Sequence, residues 1–498
     1  MNLLCSLPLF MIISCLFCAA LCLLLKRTAA FAVTGILLLA LTAADLAVTV
    51  YTAGSGSFTY PMGEFPAPWG NEIRAGSLEG IILAFFLIIL FCALLGGFRY
   101  LKLHIDGSKH DLFCSLLCLV SAAACALVFT NDIFTGYVFL EIMTLASCGL
   151  LISRQVGRTT LAAIRYMIMN LLGSGLYLLG VIMLYGMTGH LLMVHIRETL
   201  AGLAGDPSMT LSLTFAVGVL TIGLAIKSGL FPFYFWMPDT YGWATPSAGA
   251  VLSSVVSKAY LFLLIKVYYR AVGPALTASM PIETLLLVLG IAGVIFGSLS
   301  ALRADDLNRM IAFSSAAQIG YIFMSMGIGG DAGYTAALFH LIAHGVTKSL
   351  LFLTSPYLAD ASGGSLRFRD LRGSALRSPA AGFFFLAGAL SMVGFPLLAG
   401  FTSKILIASA ASGPEQPGLF IVIVIVLAVS TLLNALYFLR TVVRIYARPE
   451  DGAAAAPAAK ASFSYLLPAV ILLACNFLLG IFPTVVTGLI EQGLHMFV

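Results

Sequence analysis

The sequence predicts an all-α polytopic membrane protein of about fourteen transmembrane helices. Of its 498 residues, 60% are hydrophobic and only 9% are charged, and the mean hydropathy is +1.04. A soluble chain of this size carries about 25% charged residues. Apolar runs recur from end to end, each near the roughly 20 residues that cross a bilayer as a helix. Charges and Pro/Gly clusters bound the runs.

In chain order the runs place helices at 2–25, 28–51, 77–97, 112–130, 133–153, 160–187, 210–231, 246–269, 281–302, 308–328, 331–358, 379–411, 418–440 and 463–488. The first, LLCSLPLFMIISCLFCAALCLLL, has the length of a signal peptide. It lacks a positive start and a small-residue cleavage site, so it reads as a retained helix. The longest polar connections are 52–76, 188–209, 359–378 and 441–462, the last containing the low-complexity linker PEDGAAAAPAAK.

Lysine and arginine set the orientation. With the N-terminus outside and strict alternation, most of the 26 basic residues fall in inner connections, among them Lys26, Arg27, Arg99, Arg154, Arg309, Arg369 and Arg444. Outer connections hold only Arg74, Arg197, Lys266 and Arg270. The positive-inside rule supports a chain in the cell (inner) membrane with both termini outside.

Most of the ten cysteines fall inside apolar runs, where thiols behave as small apolar groups, so neither a disulfide framework nor a metal site is expected. CLFC at 15–18 has C-x-x-C spacing but no polar ligand near it. No phosphate-cradling, dinucleotide or H-E-x-x-H motif occurs, so no cofactor is expected and any driving energy must come from partner subunits or a sodium gradient.

Lys227, Lys258, Lys348 and Lys404 fall within the predicted helices, and Glu141, in GYVFLEIMTLASCGLL, is a matching acid. Each costs about 2.5–3.5 kcal/mol at a helix centre facing lipid, so these groups must face the bundle interior, pair, or line a hydrated path. A structural ion pair explains one such lysine, but four at similar depth point to ion conduction. In FHLIAHGVTKSLLFL, His340, His344 and Lys348 are spaced i, i+4, i+8 and share one helix face. His-x3-His spacing can chelate a metal, but the neighbouring lysine opposes a cation. A column of proton acceptors and donors fits better, because imidazole titrates near neutrality. The bland alternative is two histidines satisfied by core hydrogen bonds. Thr347, about 100° from Lys348 on an ideal helix, is expected to lie off this face.

Two segments place Pro and Gly beside a lysine: LAIKSGLFPFYFWMPD around Lys227 and MVGFPLLAGFTSKILI around Lys404. Such residues free backbone groups and break spanning helices, and broken helices beside charges mark ion pathways in transporters. The breaks fall in the seventh and twelfth helices. That spacing suggests two inverted five-helix repeats, helices 4–8 and 9–13. The expected organisation is a three-helix segment (1–110), first repeat (111–270), second repeat (271–440), and a linker with a C-terminal helix (441–498).

These residues carry a resemblance. KSGLFPFYFWMPDTYGWATPSAGAVLSSVVSK, SSAAQIGYI, HLIAHGVTKSLLFL and GFPLLAGFTSK, in that order, resemble the signature of the antiporter-like proton-translocating subunits. That family occurs in respiratory complex I, Mrp-type sodium/proton antiporters and energy-converting membrane hydrogenases. The resemblance covers about residues 110–440 and implies a role for each candidate. Glu141 pairs with Lys227; Lys258 sits at the channel centre; His340, His344 and Lys348 relay protons; Lys404 ends the row, where some members carry glutamate. Lysine there is similar to the Mrp-type D subunit and to the complex I subunit related to mitochondrial subunit two. The implied partners are other membrane subunits, protons and, as an open alternative, sodium. A stand-alone secondary transporter for a small solute is the competing class; it predicts a substrate cavity and activity of the isolated chain.

Overall fold

The computed structural model describes residues 3–65, 70–203, 207–413, 417–448 and 462–497. Among these, thirteen helices are long and apolar enough to cross a membrane. Spans 1 to 6 are Leu3–Leu24, Arg27–Ser55, Ser77–Gly96, His110–Phe129, Ile133–Ile152 and Gly157–Thr188. Span 7 is Pro207–Ser228, continued after a break by Met237–Trp243, and span 8 runs over Pro246–Val272. Spans 9, 10 and 11 are Ile282–Leu302, Leu307–Ile328 and Gly330–Asp360. Two shorter apolar helices, Pro379–Val393 and Ala399–Ala410, make span 12 and complete the expected fourteen. Spans 13 and 14 are Pro417–Tyr446 and Phe463–Ile481. The linker at 449–461 lies outside the described residues.

Both predicted breaks are present, five spans apart and in spans of opposite direction, as an inverted repeat requires. Spans 8 and 11 are enclosed by the others along their length, whereas spans 2 and 13 turn most of their surface outward. Spans 9 and 10 approach closely because Gly290, Gly293 and Gly297 meet Gly320 and Ala317; a side chain at Gly290 would strike the backbone of Met324 at 2.3 Å.

Several expectations are corrected. Span 14 stops at Ile481 because Pro483 lacks a donor and drives Phe482 out of the helical region, and a separate helix, Pro483–His495, follows. The connection at 52–76 contains a small antiparallel pair of strands, Phe58–Pro61 with Glu72–Ala75, and that at 188–209 a helix, Met193–Leu203. Lys266 and Arg270 are not in an outer connection. They lie in span 8, at 0% and 8% exposure.

The connections sort into two ends as alternation demands. At the arginine-rich end Arg99 pairs with Asp360, Arg165 and Arg309 reach Asp239, and Arg154 donates to the Trp243 carbonyl. At the other end Arg74 binds Glu79 at 2.5 Å and donates to the Met496 carbonyl. Lys266 reaches Glu79 at 3.2 Å and the Val128 carbonyl at 2.7 Å, and Arg270 donates to Asn131. The Arg74–Glu79–Lys266–Arg270 knot therefore joins spans 3 and 8 to the Pro483–His495 end of the chain.

Candidate functional site: a buried row of lysines and histidines

The break in span 7 creates the first element. The helix ends at Ser228, Gly229 turns with φ +81°, and a side chain there would meet Met237 Sδ at 2.4 Å, so only glycine fits. Lys227 sits in the last turn of this half-helix, where the dipole favours a cation. Its ammonium lies 3.8 Å from Glu141 Oε1 and donates to Thr144 Oγ1 at 2.7 Å. Tyr260 closes the group, with its ring centroid 5.1 Å from Lys227 Nζ and its hydroxyl 3.1 Å from Thr144 Oγ1. Glu141 and Lys227 are thus brought together as expected. Thr144 makes the shorter contact, and one neutral hydroxyl in an apolar helix carries no signal of it in the sequence.

Span 8 widens into a π-turn over Leu252–Val256, two residues before Lys258. Such turns release backbone carbonyls from the helical ladder. Lys258 donates to the Ser253 carbonyl and, at 3.1 Å, to Ser257 Oγ. Span 11 packs against this turn: a side chain at Gly345 would lie 3.2 Å from the Ser254 carbonyl.

On span 11, His340 and His344 stack with centroids 6.0 Å apart and planes 7° apart. His340 Nδ1 shares a hydrogen with Ser403 Oγ at 2.5 Å, and Tyr321 stacks on its ring. Among the described residues, His340 Nε2 and both His344 nitrogens have no hydrogen-bond partner. The bland expectation of histidines satisfied by core hydrogen bonds therefore does not describe His344. Lys348, on the same face, donates to the Ile311 carbonyl at 2.8 Å and to Ser314 Oγ, both on span 10. His344 lies within electrostatic reach of both Lys258 and Lys348.

In span 12, Gly394 turns with φ +97° and the second half-helix begins at Ala399. Lys404 reaches back to the Val393 carbonyl at 2.6 Å and to Thr431 Oγ1 at 2.8 Å. Both break-associated lysines thus sit at the negative end of a half-helix. Asn476 of span 14 accepts from the Ala399 amide at 3.1 Å and donates to Thr347 Oγ1 at 2.7 Å.

His340, His344, Thr347, Gln318, Gly400 and Lys404 line one cavity of about 10 Å³, close to the volume of a single water. Two expectations change here. Thr347 faces the same space as the histidines, because it is about 60° from His344 even though it is about 100° from Lys348. The expected order placed Lys348 between His344 and Lys404, but the cavity brings the histidines to Lys404 directly while Lys348 turns to span 10. Among the described residues no group of three or more His, Cys, Asp or Glu is arranged to hold a metal ion.

Fold and site together define a polytopic helical membrane protein with a row of buried basic groups strung between two broken helices. The chain belongs to the NADH:quinone oxidoreductase/Mrp antiporter transmembrane family, whose profile matches residues 130–431. It is 34% identical over 441 residues to NADH-quinone oxidoreductase subunit N of Desulforudis audaxviator, covering 87% of this chain and 85% of that one. It is 31% identical over 389 residues to subunit N of Halorhodospira halophila, covering 77% of each. The fold is similar to a chain in the structure of the Mrp complex from Dietzia sp. DQ12-45-1b, with TM-score 0.87, 21% identity and coverage of 99% and 97%. It is also similar to a chain of the membrane-bound sulfane sulfur reductase, an archaeal respiratory membrane complex, with TM-score 0.84, 23% identity and coverage of 99% and 97%. At these identities the likeness to the two complexes is one of fold.

Proposed function

We propose that this chain is a proton-translocating membrane subunit of a multisubunit complex, of the NADH:quinone oxidoreductase type that its subunit N relatives point to. One observation carries the reading. Among the described residues, Lys227 alone of the buried lysines in the row has a carboxylate nearby, while Lys258, Lys348 and Lys404 are held by carbonyls and hydroxyls. A lysine locked to a carboxylate stays charged. One held by neutral dipoles accommodates both ammonium and amine, which is what a proton carrier needs. The row is built of cationic groups, which favours protons over sodium as the transported ion, since sodium would want oxygen ligands.

In this reading, Glu141 holds Lys227 charged. Separation of the pair leaves the ammonium without its counter-ion, and its proton passes through water toward Lys258. The proton continues past His344 and His340 to Lys404, with Lys348 a side branch toward span 10. Each step is an electrostatic shift, so a distant partner subunit can drive it. The arginine-rich end faces the inside of the cell membrane, both termini face outside, and the two repeats at 111–270 and 271–440 form the two halves of the path.

The test is pH-gradient formation in vesicles holding the intact complex. Lys227→Ala is expected to abolish it at normal assembly, and wild-type translocation by that variant would overturn the reading. Activity of the isolated chain toward a small solute would favour the stand-alone transporter instead.

A further inference from the structure

At the arginine-rich end, the turn between spans 1 and 2 meets the connection between spans 3 and 4. That connection is a short helix, Phe98–His104, followed by a single turn, Gly107–Lys109. Lys26, Arg27, Lys102 and Lys109 gather at this corner. Two cavities open among them and share Arg27 and Thr28. The smaller, about 40 Å³, has an aromatic wall of Phe31, Phe98 and Phe113, with Lys102 and His110 beside it. The larger, about 460 Å³, adds Lys26, Ser108 and Asp111. Leu24 and Leu103, close in the chain to Lys26 and Lys102, are 85% and 63% exposed. The corner therefore offers cations and bare apolar surface side by side.

Elsewhere at this end arginines are paired: Arg99 with Asp360, and Arg165 and Arg309 with Asp239. Among the described residues, none of Lys26, Arg27, Lys102 and Lys109 has a carboxylate within ion-pair distance. The two acids of the corner are turned to backbone amides, Asp106 to that of Ser108 at 3.0 Å and Asp111 to that of Leu112 at 2.9 Å. Two of the cations are held in place all the same. The Arg27 guanidinium lies against Gly107, where a side chain would strike its Nη1 at 2.0 Å, and the Lys102 ammonium sits 4.0 Å from the centroid of the Phe98 ring. A solvated basic loop that only sets orientation needs neither a cavity nor fixed side chains. We propose that this corner is a binding site for an anionic phospholipid, its phosphate diester between Arg27 and Lys102 and an acyl chain along Phe31 and Phe98. Basic pockets between spanning helices suit such headgroups. A zwitterionic lipid would bring its own ammonium into a cluster of four cations and bind less well. The site stands apart from the buried row and does not depend on the proton-carrying function.

The test places the assembled complex in phosphatidylcholine nanodiscs doped with phosphatidylglycerol that carries a photoreactive diazirine in one acyl chain. After irradiation, mass spectrometry is expected to find adducts on Leu24, Phe31 or Phe98, and fewer when the same probe carries an ethanolamine headgroup. Arg27→Gln and Lys102→Gln are each expected to lower this labelling about fivefold, the weight of one basic residue near an anionic surface. Gly107→Ala keeps every charge but pushes the guanidinium aside, and is expected to lower it too. Arg158→Gln, which removes an exposed arginine over Trp243 at the same end, is expected to leave it unchanged. No labelling of the corner, equal labelling by the two headgroups, or full labelling of the Arg27→Gln, Lys102→Gln double variant overturns the proposal. Loss of labelling in excess inorganic phosphate overturns it as well, since the corner would then be a site for free anions. The subunit composition of each preparation checks assembly, and the comparison of headgroups on the native complex decides the matter should a variant fail to assemble.

Discussion

Lys227 has a carboxylate 3.8 Å away, while Lys404 is held against a carbonyl and a hydroxyl. This contrast sets the behaviour of single substitutions. Glu141→Gln removes the charge opposite Lys227 without changing size and is expected to be nearly as damaging as Lys227→Ala, while Glu141→Asp retains part of the activity. Translocation rates of the two variants at equal assembly decide it, since equal behaviour would leave Glu141 as a hydrogen-bonding group only. The histidines admit a similar separation. Glutamine keeps hydrogen bonding but cannot take up a proton, so His340→Gln combined with His344→Gln is expected to lose translocation across pH 6 to 8. Normal pumping over that range would remove both from the path. The ionisable members of the row were legible in the sequence because each is a charge in an apolar run, where chance placement is costly. Thr144, Ser403, Thr431 and Asn476 were not, because neutral polar residues sit in many helices and only tertiary packing selects the few that touch a lysine.

At the level of elements, the row exists because helices stop or widen where a lysine needs acceptors. Spans 7 and 12 break, and span 8 opens into a π-turn beside Lys258. The breaks could be read from Pro and Gly beside a lysine, but the π-turn could not, since LSSVV carries no special signal for it. Gly229→Ala tests the first break. A left-handed backbone costs an L-residue about 1–2 kcal/mol, before any clash with Met237. The expected result is a lower unfolding temperature of the complex together with impaired translocation. Asn476 gives the second test. It ties the start of the second half of span 12 to Thr347, so Asn476→Ala is expected to disturb transport while spans 11 and 14 stay packed. Normal transport by that variant would show that the cavity keeps its shape without the strap.

Across the whole molecule, the buried knot of Arg74, Glu79, Lys266 and Arg270 holds the sparsely charged end together. Lys266 and Arg270 read as part of a connection because they lie where an apolar run ends, and hydropathy cannot tell a buried terminal turn from a connection. Removing one partner from a buried network leaves the others uncompensated, at about 3–5 kcal/mol. Glu79→Gln is therefore expected to lower thermal stability sharply, and adding Lys266→Met should restore part of it. If the double variant is no more stable than Glu79→Gln alone, the pair is not coupled.

The two broken helices have one more consequence, in how the protein responds to voltage. Spans 7 and 12 run in opposite directions, so the half-helices ending at Ser228 and Val393 enter from opposite faces and bring their negative ends toward the middle. Each such end carries about half an elementary charge. Moving one full charge through 100 mV is worth about 2.3 kcal/mol. Because the two dipoles oppose, their couplings to the membrane potential cancel along the normal.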